Sequence, residues 1–372
     1  MSPNHTRLAP RKAAAVRPAR IAGFRCTPSR GRRNLRVVDG REEIKALKKI
    51  GVGVTCVGSL ISQGIIKSIR QSDLKGEVEL TGFEYFPDTI GSYWVERTYL
   101  MPDILKKGIT EEEYLAVLKK HILDHGIRFL FIGMDFELPM MSRNRARIRQ
   151  ETGCDVISSS PEVIETADDK YLTFEFLKRH SLPFPRTWLP GEEEAIRYPA
   201  IVKPRTGERS RNVHLVKDAK DLREKLPTVG NPVIQEAVGT RDREYTCGIL
   251  FLDEEVRTRI FLRRYLRDGN TSLAFHSPGT PDSVREYVEE IAKRLRPYGP
   301  CNFQLRLGED GVPRLFEINA RFSGTTYMRT LFGMNEVAFL LHYLMGENPR
   351  TPQLRYGKIL RYPEEFYVAD PS

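Results

Sequence analysis

The stretch from Cys301 to Arg321, CNFQLRLGEDGVPRLFEINAR, limits what this chain can fold into more than any other. It predicts two short β-strands joined at Asp310-Gly311, a dipeptide that favours a two-residue hairpin turn. That loop places Gln304 opposite Glu317. Period-two alternation then sends Phe303, Leu305, Phe316 and Ile318 inward, and Gln304, Glu317, Asn319 and Arg321 to the other face. A hard divalent cation takes oxygen ligands and completes its shell with water and phosphate, which makes Gln304, Glu317 and Asn319 candidate Mg²⁺ ligands. The planar fork of Arg321 suits a neighbouring anion. A solvated polar face on an ordinary hairpin explains the same alternation equally well. Pro313 weighs slightly against regular pairing, because it cannot donate to the ladder.

At 372 residues the chain can bury a large core, and two or three domains are expected. Its net charge of +10 suggests nucleic acid until the charge is located. Residues 1–36 hold ten Lys and Arg with no acidic residue, whereas residues 37–372 carry 49 of each sign. A balanced body lacks the basic surface that nucleic-acid binding requires. The tail, rich in Arg, Ala and Pro, is expected to be disordered; its acid-free composition also fits a transit segment or a misassigned start codon. Five cysteines, widely spaced and without a Cys-x-x-Cys pair, argue for reduced thiols in a cytosol and against a disulfide framework or zinc site. No apolar run approaches the length of a membrane span, so a soluble protein without membrane partners is expected.

Along the chain, apolar strands at Lys49–Val57, Val78–Phe83 and Ile127–Ile132 alternate with helical patterns at Leu60–Ile69 and Glu111–His125, which implies a parallel sheet with flanking helices. The turn at Gly58 invites a dinucleotide reading, but Cys56 and Ile61 stand where the fingerprint needs glycine, leaving an NAD-dependent oxidoreductase a weak alternative. From Ser158 the pattern changes. Ser160-Pro161 opens a helix, a second runs from Tyr171 to Arg179, and shorter strands follow at Ala200–Lys203, Val213–Val216, Pro232–Glu236, Tyr245–Leu252, Val256–Arg264 and Thr271–His276. Helices are predicted at Val284–Leu295 and Met334–Met345.

This order of segments resembles the ATP-grasp superfamily, and in particular the group similar to the carbamoyl phosphate synthase large subunit, over roughly residues 48–348. Asp169-Lys170 looks like the family's first phosphate-contacting position and Ile201-Val202-Lys203-Pro204 like its second. Gln235-Glu236-Ala237-Val238 resembles the adenine hinge, and Glu244-Tyr245 the acidic position associated with ribose. Gln304, Glu317 and Asn319 match the metal ligands and Arg321 the anion-binding arginine. The resemblance implies an α/β and α+β architecture: a parallel-sheet domain at residues 37–157, then a two-lobed ATP-grasp domain with antiparallel sheets at 158–348. The lid lies at about 187–236, and residues 349–372 form a C-terminal extension. It implies ATP and Mg²⁺ (with Mn²⁺ as a substitute), small-molecule carboxylate and amine substrates, a cytoplasmic setting and a homodimer. In that picture Lys203, Asn319 and Arg321 serve catalysis, and Lys170 and Lys203 reach the phosphates from two sides.

One departure from the family pattern stands out. The loop after Lys203, Arg205 to Asn212, contains one glycine and three arginines where the family commonly has glycines, so guanidinium groups would replace part of an amide cradle or recognise an acidic substrate. A catalytically inactive nucleotide-binding module is the alternative that this loop motivates. Arg263 and Arg264 stand where basic residues often lie near the terminal phosphate or acyl group, although paired arginines on a strand are more often one exposed and one salt-bridged. Substrate specificity is expected from Arg263–Thr271, from Ser323–Thr330 and from the first domain.

Overall fold

The structure is a computed structural model that describes residues 49–207 and 212–369. The basic tail, Cys26 and the loop arginines Arg209 and Arg211 lie outside the described residues.

The first part is a five-stranded parallel sheet in the order β3-β2-β1-β4-β5, with β1 at Ile50–Thr55, β2 at Val78–Glu84, β3 at Arg97–Leu100, β4 at Ile127–Phe131 and β5 at Asp155–Ile157. Continuous apolar runs suit strands covered on both faces. The covering helices are α1 (Leu60–Arg70), α2 (Glu111–Asp124) and α3 (Leu138–Thr152). Ser59 caps α1 by accepting from the Ser62 N–H, and Thr110 and Glu113 form a reciprocal capping box on α2. Gly58 is a structural turn residue: its N–H donates to Glu84 at 2.7 Å, and a side chain there would collide with Thr89.

Helices α4 (Pro161–Asp168) and α5 (Lys170–Arg179) lead into a four-stranded antiparallel sheet ordered β6-β9-β7-β8. Its strands are β6 (Thr187–Trp188), β7 (Ala200–Pro204), β8 (His214–Val216) and β9 (Pro232–Glu236), with α6 (Ala219–Lys225) between the last two. A six-stranded antiparallel sheet follows, ordered β14-β13-β10-β11-β12-β15. It comprises β10 (Glu244–Leu252), β11 (Glu255–Arg267), β12 (Asn270–His276), β13 (Gly299–Leu307), β14 (Pro313–Asn319) and β15 (Gly357–Leu360). Helix α7 (Asp282–Leu295) packs on β10, β11 and β14, while α8 (Thr326–Leu331) and α9 (Glu336–Leu344) pack on α1.

The hydrophobic core is shared between the parallel sheet and the large antiparallel sheet. Leu118, Leu130 and Ile164 belong to one cluster with Cys247, Phe303 and Ile318. Val52, Ile65 and Phe131 belong to another with Leu250, Phe322 and Leu340. Odd-numbered residues of β13 (Cys301, Phe303, Leu305, Leu307) enter the core, so Asn302, Gln304 and Arg306 occupy the opposite face.

The hairpin corrects the expected turn. The loop runs from Gly308 to Val312: the Gly308 N–H donates to the Val312 carbonyl at 2.9 Å and the Gly311 N–H to the Gly308 carbonyl at 3.0 Å. Gly311 sits at φ +74°, where a Cβ would be strained. This longer loop shifts the register by one, pairing Leu305 with Leu315, and a β-bulge at Phe316 restores the Gln304–Glu317 pair. Because of the bulge, Leu315 enters the core in place of Phe316, which turns to the polar face.

Candidate active site

β10, β11, β13 and β14 present one continuous polar face. Glu244 on β10 lies directly opposite Arg306 on β13, and Thr246 opposite Gln304. Glu244 is buried and saturated by two guanidinium groups: Arg264 donates Nε to one oxygen at 2.9 Å, and Arg306 donates Nε and Nη2 to the other at 3.0 and 2.8 Å. The acidic position expected to face a ribose is therefore engaged with arginines. Of the arginine pair on β11, Arg264 is buried in this ion pair and Arg263 is exposed over the Phe275 ring. Arg306 gave no signal beyond period-two spacing.

Glu317 is the hub of the hairpin face. Its Oε1 accepts from the amide nitrogens of Gln304 and Asn319, each at 2.9 Å. The amide oxygens turn outward, Gln304 accepting from Arg264 Nη2 and Asn319 from Arg321 Nη2 at 2.8 Å. Arg321 also forms a two-pronged ion pair with Asp135, its Nε donating at 2.7 Å. Asp135 follows β4 and carries no sequence signal of a role, because spacing alone cannot show that the parallel sheet delivers it to the hairpin.

The donor set fits a hard cation. Glu317, Gln304 and Asn319 converge, and Glu317 Oε2 has no hydrogen-bond partner among the described residues. Turning either amide inward would present its oxygen toward that carboxylate, in exchange for the hydrogen bond it accepts from Arg264 or Arg321.

Two buried lysines approach the same space, one from the smaller sheet and one from the start of α5. Lys203, at the end of β7, donates Nζ to Gln235 Oε1 at 2.8 Å and to the Phe316 carbonyl at 3.2 Å. Burial, followed by the neighbouring Lys170 charge, pushes its pKa down to about 7. Lys170, the first residue of α5, donates Nζ to the carbonyls of Arg205 and Gly207 at 3.2 and 3.0 Å. Arg205 forms a two-pronged pair with Asp169, so this loop arginine braces α5 instead of reaching toward a substrate. In the hinge, the N–H groups of Glu236 and Ala237 donate to the carbonyls of Arg186 and Pro199, which leaves the Val238 N–H without a protein acceptor among the described residues.

These groups surround a cavity of about 550 Å³ that takes in Lys170, Lys203, the hinge Gln235–Val238, Phe316 and Glu317. A second cavity of about 100 Å³ lies on the other side of the hairpin face, with Asn319, Arg321, Thr271, Ser323 and Thr325 among its walls. Gln304, Glu317 and Arg264 line both. The loops expected to set specificity, together with Ser59–Ile61 of the first part, thus meet at one place. The described cysteines are buried thiols, and burial raises Cys154 and Cys247 to about 12. Among the described residues, no helix is long and apolar enough to cross a membrane.

Residues 241–365 match the family model described as "ATP-grasp in the biosynthetic pathway with Ter operon". The carbamoyl phosphate synthase large chain of Acidobacterium capsulatum is 24% identical over 320 residues, covering 77% of this chain and 28% of the relative. This chain therefore spans less than a third of that protein. The L-amino acid ligase of Bacillus licheniformis superposes with a TM-score of 0.63 at 17% identity, over 82% of this chain and 75% of that one. The biotin carboxylase domain of the Hydrogenobacter thermophilus 2-oxoglutarate carboxylase, solved with MgADP and bicarbonate, gives 0.64 at 16% identity, over 82% and 73%. The sheets, their order and these likenesses agree: residues 241–365 match an ATP-grasp family model, and the chain is similar to the carbamoyl phosphate synthase large chain.

Proposed function

We propose that this chain is an ATP-dependent ligase that activates a small-molecule carboxylate as an acyl phosphate for attack by an amine. The observation that carries this reading is the shared wall: Gln304, Glu317 and Arg264 separate a nucleotide-sized cavity, bounded by the hinge and two lysines, from a smaller polar one. A triphosphate seated in the larger cavity would bring its terminal phosphoryl group to the boundary beyond which an acid is held.

In the first step a carboxylate oxygen attacks the γ-phosphorus while the bond to the β–γ bridging oxygen breaks, and ADP leaves with that electron pair. In the second, the amine attacks the acyl carbon and gives up a proton. The bond to the phosphate-bearing oxygen then breaks, and phosphate departs carrying one oxygen of the acid. Catalysis by such a site is mainly positioning and charge neutralisation. The base would stack against the hinge, with the Val238 N–H as donor. Lys203 would approach the phosphates from the smaller sheet and Lys170 from the start of α5, and Arg321, oriented by Asp135 and Asn319, would meet charge developing on the transferred group. Gln304, Glu317 and Asn319 would hold Mg²⁺, which when bound would neutralise phosphate charge. No enzyme nucleophile is needed. The likeness to an L-amino acid ligase and to a biotin carboxylase domain solved with MgADP supports ATP and a small acid as substrates.

The test is acyl-phosphate trapping. With Mg·ATP, hydroxylamine and a panel of small acids, the protein should release ADP and hydroxamate in equal amounts for at least one acid. Glu317→Gln should lower both at least 100-fold with an unchanged melting temperature. Acid-independent ATP hydrolysis, or full activity in Glu317→Gln, would refute the assignment.

A further inference from the structure

The smaller cavity is lined by one guanidinium that no carboxylate pairs among the described residues. Arg264 is paired with Glu244, and Arg321 with Asp135. Arg361, which follows β15 and lines the same cavity, has no carboxylate partner among the described residues. Its hydrogen bonds go to main-chain carbonyls, Nη1 to Thr271 at 2.8 Å and Nη2 to Gly324. A guanidinium has five N–H donors, so three remain without an acceptor among the described residues. Burial lowers its pKa, and no neighbouring carboxylate offsets that effect. Glu364, three residues on, is exposed and forms no ion pair with it. A half-buried cation without a carboxylate partner favours a site whose counter-charge arrives with a ligand.

Three further features surround this cation. β15 pairs with β12 and is anchored by the Arg361 N–H, which donates to the Ser272 carbonyl at 2.8 Å, so the guanidinium is held by a sheet edge rather than a loose tail. Ser59, Leu60 and Ile61 at the start of α1 form another wall. The N-terminal end of this eleven-residue helix adds a positive potential to the pocket. Asn270, Ser323 and Thr325 supply neutral polar groups. At about 100 Å³ the space suits an acid of only a few carbon atoms.

We infer that Arg361 is a specificity-determining residue that binds a second anionic group, carboxylate or phosphate, on the acid whose first carboxylate is activated beside Glu317. This deepens the ligase reading and rests on it for the location of the first carboxylate. A monoacid would leave the Arg361 guanidinium uncompensated and would bind weakly.

Binding to the full chain in the presence of Mg·ADP, where no turnover occurs, separates this inference from the ligase reading. Calorimetric titrations should compare glutarate with butyrate and 3-phosphonopropionate with butyrate. We expect at least one dianionic probe to bind tenfold or more tightly than butyrate, the better of the two identifying the second group. Arg361→Gln should bring that ratio to within about twofold without weakening butyrate, whereas a merely structural role would weaken both acids alike. Arg361→Lys, which keeps the charge but loses the fork, should retain an intermediate preference. Equal binding of mono- and dianionic acids by the native chain, no binding of either dianion, or an unchanged ratio in Arg361→Gln would overturn the inference. Absence of hydroxamate in the trapping assay would refute the ligase reading instead.

Discussion

Lys203 shows how burial converts an ordinary surface side chain into a pH-dependent group. Its ammonium is shielded from water by Gln235 and the Phe316 main chain, and its pKa stands near 7 instead of 10.5. Between those values the unfolded chain binds more protons than the folded one, so stability rises with pH across that window. Below about pH 7 the cost of the buried charge is fully present. Denaturant unfolding without nucleotide should therefore show greater stability at pH 9 than at pH 7, and Lys203→Met should flatten that profile. A bound triphosphate favours the ammonium form. Calorimetry in buffers of different ionisation enthalpy should detect uptake of about one proton per nucleotide at pH 8, lost in Lys203→Met. Equal uptake in the variant would show that the lysine does not face the phosphates.

At the scale of the hairpin, the bulge at Phe316 decides which side chains form core and which form site. Leu315 is fully buried, whereas Phe316 lies beneath the Lys203 and Arg306 cations, 5.7 and 5.9 Å from its ring centre. Leu315→Ala should cost about 2–5 kcal/mol of stability, measured by denaturant unfolding. Phe316→Ala should leave stability nearly unchanged and weaken nucleotide binding about tenfold. An uninterrupted hairpin predicts the reverse assignment. The pairing of Gln304 with Glu317 was legible because two departures cancel: the turn is longer than Asp310-Gly311 suggested, and the bulge takes up the shift. Neither departure has a periodic signature. Helix α3 was illegible for a related reason: arginines and other polar residues dominate it, and their partners, such as Glu112 for Arg147, lie on α2. β15 is short and mostly exposed, so it carries little apolar pattern.

Across the whole molecule, the parallel sheet and the large antiparallel sheet share their cores, and that packing brings Asp135 to Arg321 and the start of α1 to the small cavity. Local patterns identified the elements and most of the polar residues on the hairpin face, because strand alternation and turn chemistry act over a few residues. They could not identify Asp135, Arg306 or Arg361 as site residues, since each acquires its neighbours only through tertiary packing. On the proposed mechanism, an acid's own oxygen is phosphorylated at the wall shared by the two cavities. The direct measurement is isotope transfer: turnover of an ¹⁸O-carboxylate-labelled acid that is active in the trapping assay, with Mg·ATP and an amine. One ¹⁸O should appear in inorganic phosphate for each ADP released. Phosphate free of label, with ADP formed at the same rate, would contradict it.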